Sequence, residues 1–334
     1  MIFADRARAV TKLGFTERQG SFLATVALHS GVCMDRHYCA FAGIRHGQKT
    51  QDFFEDLVGR RFATAYRCAH GRARIFHLHR RGLYEAIGEP DSRFRRPTPI
   101  ARAIERLMLL DAVLASRNIT WLATEREKVT HFTRLLHTRI NRDELPHLTF
   151  GRDGAKTVRY FPDKLPIGVH SDGGTHVFTY LLNRDVPVDF RPFLHRHAGL
   201  FRALPRWTIR LLVPTHLEDA IGLYEAAWRE EFASPLRLST ADELRWYFEQ
   251  RRQLEQRSGG TDGLDQARYV RARDAFGAPR YRVLYRAWLR QGPSTLRELV
   301  SPVLSDAIGR GTAQLETQVL PHPYLHLAPL VATA

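Results

Sequence analysis

The chain has 334 residues, of which 44% are apolar and 25% charged, a globular composition long enough for two or three domains. Fifty lysines and arginines against 35 acids leave a formal charge of +15, which points to a polyanion as partner, either nucleic acid or an anionic membrane. No apolar run is long enough to cross a bilayer, no leader pattern follows Met1, and three cysteines make no disulfide framework, so a soluble cytoplasmic protein is expected.

The charge is uneven. Residues 1–100 hold 17 lysines and arginines against 9 acids, about half of the whole excess. That asymmetry assigns polyanion contact to the N-terminal part. Thr16 reads as a helix N-cap, with Gln19 three residues on to complete a capping box. Phe22, Leu23, Val26 and Ala27 then recur at helical spacing up to Gly31. Asp35 opens a second short helix carrying Tyr38, Phe41 and Ala42. Gly43 and Gly47 frame a turn, and Gln48 to Arg60 reads as a third helix with the stripe Phe53, Phe54, Leu57 and Val58.

After residue 60 the period changes from helical to alternating. Residues 62–66 and 74–79 read as two strands around the turn Ala69-His70-Gly71-Arg72, a hairpin with a basic tip. Alternation places Ile75, His77 and His79 on one face, with the histidines open to phosphate or solvent, and Phe76 and Leu78 on the other. Leu83, Tyr84 and Ile87 close the unit with a helical turn.

Three helices and a hairpin in that order match the winged helix-turn-helix plan over residues 1–90. In that plan the third helix enters the major groove. Arg45, His46, Gln48, Lys49 and Gln51 sit at its leading end, where amides can read adenine and cations can meet guanine or phosphate. Arg67, Arg72 and Arg74 flank the hairpin tip, suited to the sugar–phosphate backbone. The acids Asp52, Glu55 and Asp56 on the third helix oppose this use.

Residues 91–99 form a Pro- and Arg-rich linker. From 100 to 235 strands alternate with helices: helices over 100–115, 125–139 and 190–204, strands over 119–123, 158–161, 165–169, 176–182 and 207–213. Residues 236–334 read as a helical C-terminal region, continuing a helix over 217–232 with others over 241–256, 281–290 and 295–308. The fold class expected is multidomain α+β.

Several short motifs bear on the second domain. These are Tyr160-Phe161-Pro162-Asp163, Thr175-His176-Val177-Phe178-Thr179-Tyr180-Leu181, the 190–204 helix and the 207–213 strand. With Thr16-Glu17-Arg18-Gln19 and Phe54-x-x-Leu57-Val58, they carry a resemblance to the replication-relaxation family of mobile-element proteins over residues 15 to 215. The resemblance implies a winged helix followed by a domain related to the restriction-endonuclease-like nuclease fold. It also implies a role in replication, transfer or transcription of a mobile element.

That nuclease fold holds Mg²⁺ with an acid after a proline and an acid and a lysine two apart on the next strand. Pro162-Asp163 fits the first element, but residues 177–182 supply neither acid nor lysine, so a degenerate, non-cleaving domain is expected. Cys33 and Cys39, Cys68 and His70, and His77 and His79 lack the paired spacing of a zinc knuckle, and neither metal nor cofactor is expected. His195 and His197, with Arg191, Arg196 and Arg202, read as a solvated basic helix face. The function expected is double-stranded DNA binding by a non-enzymatic homodimer, with the C-terminal region free for a protein partner. A metal-dependent nuclease and a protein-interaction adaptor are the alternatives.

Overall fold

The computed structural model describes residues 1–68, 73–116, 118–151, 156–256, 265–324 and 327. The protein is α+β, and among the described residues no helix is long and apolar enough to cross a membrane. The N-terminal unit runs α1 (Phe3–Thr11), α2 (Glu17–His29), β1 (Val32–Cys33), α3 (Asp35–Ala42), α4 (Gln48–Gly59), β2 (Ala63–Arg67), β3 (Arg74–Leu78) and α5 (Arg81–Ala86). The capping box that opens α2 is present. Thr16 Oγ1 accepts from the Gln19 amide at 3.3 Å, and Gln19 Oε1 accepts from the Thr16 amide at 2.9 Å. The apolar stripes of α2, α3 and α4 converge with Phe76 and Leu78 on one core, where the Phe54 and Phe76 rings stack at 4.2 Å. Such ring pairs contribute beyond the area they bury.

The strands order β1-β3-β2, so β3 is central and buried on both faces. Phe76 and Leu78 face the helices, while Ile75 joins a second core on the other side. His77 is buried rather than open to phosphate, and its Nε2 lies 2.9 Å from the Phe94 carbonyl oxygen. The alternation was read correctly. What it lacked was the second cover for that face, which comes from residues 93–115.

That cover includes the stretch read as a linker. Residues 93–95 make a turn of 3₁₀ helix with Phe94 buried. Phe94 abuts Gly31, whose φ of 71° suits glycine and where a Cβ would lie 2.6 Å from Phe94 Cβ. Gly31→Ala should therefore cost about 1–3 kcal/mol of stability from combined backbone strain and overpacking. A denaturant titration with an unchanged midpoint would refute that packing.

The larger sheet follows. Its chain order is α6 (Ile100–Ala115), β4 (Ile119–Leu122), α7 (Glu125–Leu135), β5 (His147–Phe150), β6 (Thr157–Tyr160), β7 (Ile167–His170), β8 (Thr175–Leu181), α8 (Phe190–Ala203) and β9 (Arg206–Val213). The chain continues through a 3₁₀ turn, Thr215–Ala220, into α9 (Ile221–Trp228) and a π-helical turn, Arg229–Ala233. Then come α10 (Leu238–Gln256), α11 (Gln266–Ala275), α12 (Pro279–Gln291), α13 (Ser294–Val300), α14 (Val303–Gly309) and β10 (Ala313–Val319). β5 and β6 pair only with each other. The five-stranded sheet orders β10-β9-β8-β7-β4, with β8, β9 and β10 parallel and β7 and β4 antiparallel.

Period-two alternation gives the sheet two apolar faces. Phe178, Tyr180, Ile209 and Leu211 pack under α8 and α9, and Leu181 and Leu212 meet α6. Helix α6 also sends Leu110 into the N-terminal core, so it is shared between the two units. Its Asp111 accepts two hydrogen bonds from Arg36 of α3, at 2.6 and 2.8 Å, and one from the Tyr324 hydroxyl.

The C-terminal region departs from the helical expectation in β10, which adds an edge strand to the central sheet. Ala313, Leu315, Thr317 and Val319 alternate with Gln314, Glu316 and Gln318, so the strand was signalled by period. Before it, α10 to α13 form a lobe with a separate core of Leu244, Phe248, Leu284, Trp288 and Leu296. The lobe enters and leaves at one place, where the Leu236 amide donates to the Leu299 carbonyl at 2.9 Å. The expected 295–308 helix is split at Ser301-Pro302 into α13 and α14, as proline dictates.

Candidate nucleic-acid interface

Helix α4 is held by its inner face, Phe53, Phe54 and Leu57, and Thr50 is buried beside Cys39. Its leading end stays open: Arg45, His46, Gln48 and Lys49 are exposed and Gln51 is half-buried. Among the described residues Arg45 and Lys49 have no ion-pair partner. His46 Nε2 lies 3.5 Å from Asp35 Oδ2, and Gln48 donates to Asp52 at 2.7 Å. Asp56 is paired with Arg60 at 2.9 Å. Two of the three acids that oppose anion contact are thus engaged by neighbours on or just past the helix, which leaves Glu55 exposed and without an ion pair among the described residues.

The hairpin supplies a second cationic element. Arg67 and Arg74 are directly opposite in the β2–β3 register. Like charges across a ladder destabilise it unless an anion lies between or near them. Arg74 rests over the Phe76 ring at 5.3 Å, and Arg67 is exposed beside Tyr66, itself 48% exposed. Arg72 and His70 lie outside the described residues.

The basic residues of α8 are not a solvated face. Arg191 reaches Glu230 and Glu231, each at 2.6 Å, and His195 Nε2 approaches the second Glu231 oxygen at 3.1 Å. Arg202 pairs with Glu298 at 2.7 Å. His197 is enclosed by Phe178, Phe193 and Phe201. The partners come from the π-helical turn and α13, far along the chain, which is why helix periodicity alone misassigned these side chains.

Asp163 is likewise committed. Arg196 donates to both its oxygens, at 3.2 and 2.9 Å. The neighbouring strand β8 presents Thr179, whose hydroxyl donates to the Pro166 carbonyl at 2.7 Å. Among the described residues no three His, Cys, Asp or Glu side chains gather as a metal site would need. Cys33 is buried, which pushes its thiol well above the usual range and away from thiolate chemistry. No protein-family model, curated protein or solved structure matches this chain.

Proposed function

We propose that the protein binds double-stranded DNA through a winged helix-turn-helix formed by α2, α3, α4 and the β2–β3 hairpin. The observation that carries this reading is the open cationic end of α4 together with the unneutralised Arg67–Arg74 rung. Arg45, His46, Gln48, Lys49 and Gln51 would lie in the major groove, with Gln48 leaving Asp52 to reach a base. Arg67, Arg72 and Arg74 would hold the backbone. The order α6, β4, α7, β5, β6, β7, β8, α8, β9 is compatible with a degenerate restriction-endonuclease-like domain, one that does not cleave because β8 lacks an acid and a lysine and Asp163 is held by Arg196. Action as a homodimer on the DNA of a mobile element, in its replication, transfer or transcription, belongs to the same reading, with the C-terminal lobe left for a protein partner.

Backbone contacts release counterions, so affinity should fall steeply with salt. Lys49→Ala combined with Arg67→Ala should reduce the slope of log K against log salt by about 2, roughly one for each phosphate contact removed. Duplex binding measured from low to physiological salt, unchanged in slope and affinity by the double substitution, would remove the interface from α4 and the hairpin.

A further inference from the structure

Several buried or half-buried arginines of this protein are matched to carboxylates. Arg6 meets Glu127 at 2.7 Å, Arg36 meets Asp111 at 2.6 Å, Arg196 meets Asp163 at 2.9 Å and Arg268 meets Glu243 at 2.7 Å. One group of cations is instead gathered on an aromatic ring. Arg93 and Arg106 both lie on the Phe94 ring, with their guanidinium carbons 4.8 and 5.0 Å from its centroid. Arg93 also reaches the Lys164 carbonyl at 3.5 Å. The next carbonyl, that of Leu165, accepts from the ammonium of Lys128 at 2.6 Å. Cations from the 93–95 turn, α6, α7 and the segment before β7 are thereby gathered at one place.

Among the described residues none of Arg93, Arg106, Lys128 and Lys164 makes an ion pair. The acids nearby are engaged elsewhere: Asp163 has both oxygens taken by Arg196, Glu127 pairs with Arg6 at 2.7 Å, and Glu125 accepts from the Tyr160 amide at 2.9 Å. Lys128 is only 2% exposed, and one guanidinium nitrogen of Arg106 is buried without a hydrogen-bond partner. Burying an ammonium such as that of Lys128 without a directly paired carboxylate is costly, while Arg93 and Lys164 above it stay open to solvent. The crowding is visible in the acidities. Burial, and then the charge of Arg93, pulls Lys128 down to about 8, and burial, then Arg106 and Arg102, pulls Arg93 down to about 10. Lys164 is lowered by burial and by Arg93 and Arg159.

We propose that Arg93, Arg106 and Lys164, with Lys128 beneath them, form a second polyanion site that takes a phosphate group. Guanidinium groups fixed on a phenyl ring present their donors without further loss of freedom, and a planar donor fork suits phosphate oxygens. The natural source is the backbone of the DNA proposed to lie on α4, and to that extent the site rests on that reading. A free phosphate compound is the other source of the same chemistry.

Arg93→Gln with Lys164→Gln tests the site, since both residues keep solvent access and their loss should leave the melting temperature unchanged. Against duplex DNA the double variant should lose about 1.8 from the salt slope, two contacts at about 0.9 each. Lys49→Ala serves as the separate probe of α4. Loss in the Arg93/Lys164 variant but not in Lys49→Ala would keep this site and remove α4 from the interface. Loss only in Lys49→Ala, with pyrophosphate raising the melting temperature of wild type and the Arg93/Lys164 variant alike, would overturn this site and leave α4 standing. If pyrophosphate stabilises wild type but not that variant, while duplex affinity is equal, the site holds a free phosphate compound instead. No difference between wild type and the Arg93/Lys164 variant with either probe overturns the proposal.

Discussion

Replacing Glu231 by alanine should lower the free energy of unfolding by about 3–5 kcal/mol, the usual cost of removing one partner from a buried charge network. Glu231 sits in the π-helical turn with its side chain fully buried, between Arg191 and His195 of α8 and Arg280 of α12. Arg191 donates to one oxygen at 2.6 Å, while His195 and Arg280 approach the other at 3.1 and 3.4 Å. Burial alone would push this carboxyl up. The contact and charge of His195, then the charges of Arg280 and Arg191, outweigh it and hold the group below its ordinary range. Without Glu231, two guanidinium groups and an imidazole would face one another in a poorly solvated space, with the exposed Glu230 the remaining acid paired there among the described residues. Because the network joins α8 to the lobe, the loss should also free the lobe to detach. Urea unfolding is the measurement, and a loss below about 1 kcal/mol would show that water already screens the cluster.

The second large effect is expected on acidification. His29, His176 and His197 are buried, at 8%, 1% and 2% exposure. Burial, followed by the charges of Lys128 and Arg6, pulls His29 down to about 3. Burial, followed by His131, pulls His176 down to about 4, and burial pulls His197 down to about 4 against a smaller opposing pull from Asp163. The ordinary value is 6.5. Between about 4 and 6.5 the unfolded chain therefore binds protons that the folded one refuses. Stability is complete above that window and falls as pH drops through it. Each histidine contributes about 1.4 kcal/mol per pH unit, so three give about 4 kcal/mol per unit, comparable over two units with the whole stability of a domain. Denaturant midpoints at pH 7.5, 6 and 5 should fall progressively. His197→Phe, placed among rings that already enclose it, should remove one histidine's share of the slope, about 1.4 kcal/mol per pH unit. A midpoint independent of pH across that range would sink the assignment of neutral buried histidines.

Much of the N-terminal unit was legible because its signals are local. Thr16 and Gln19 cap α2 through their own backbone, and the stripe of α4 follows from spacing alone. Helix α1 was not legible. It is short, and its buried Arg6 is stabilised by Glu89 and Glu127, partners that no local window contains. β1 has two residues, too few to show a period. The same limit governed the candidate site. Exposure at the leading end of α4 follows from helix geometry, so that exposure was legible. The misreading of Arg191, Arg196 and His197, and the failure to anticipate the group around Phe94, share one cause. Both depend on which distant segments meet, and pairing converts a row of cations from a surface into a joint. The signal that was available is numerical: a helix with five basic residues and no acid of its own must either face water or find acids elsewhere.

The hydrogen bond between Leu236 and Leu299 makes the lobe a guest of the sheet rather than a tail. Host chain resumes at the point where it was left, and β10 then pairs with β9 as if nothing had intervened. Adjacent ends are the condition under which an inserted module can be lost, enlarged or exchanged without disturbing its host. Residues 237 to 298 are therefore the part of this chain most open to replacement between relatives. A stop at residue 236 would do the reverse, stripping β10 away and leaving the ladder of β9 open to association with other chains.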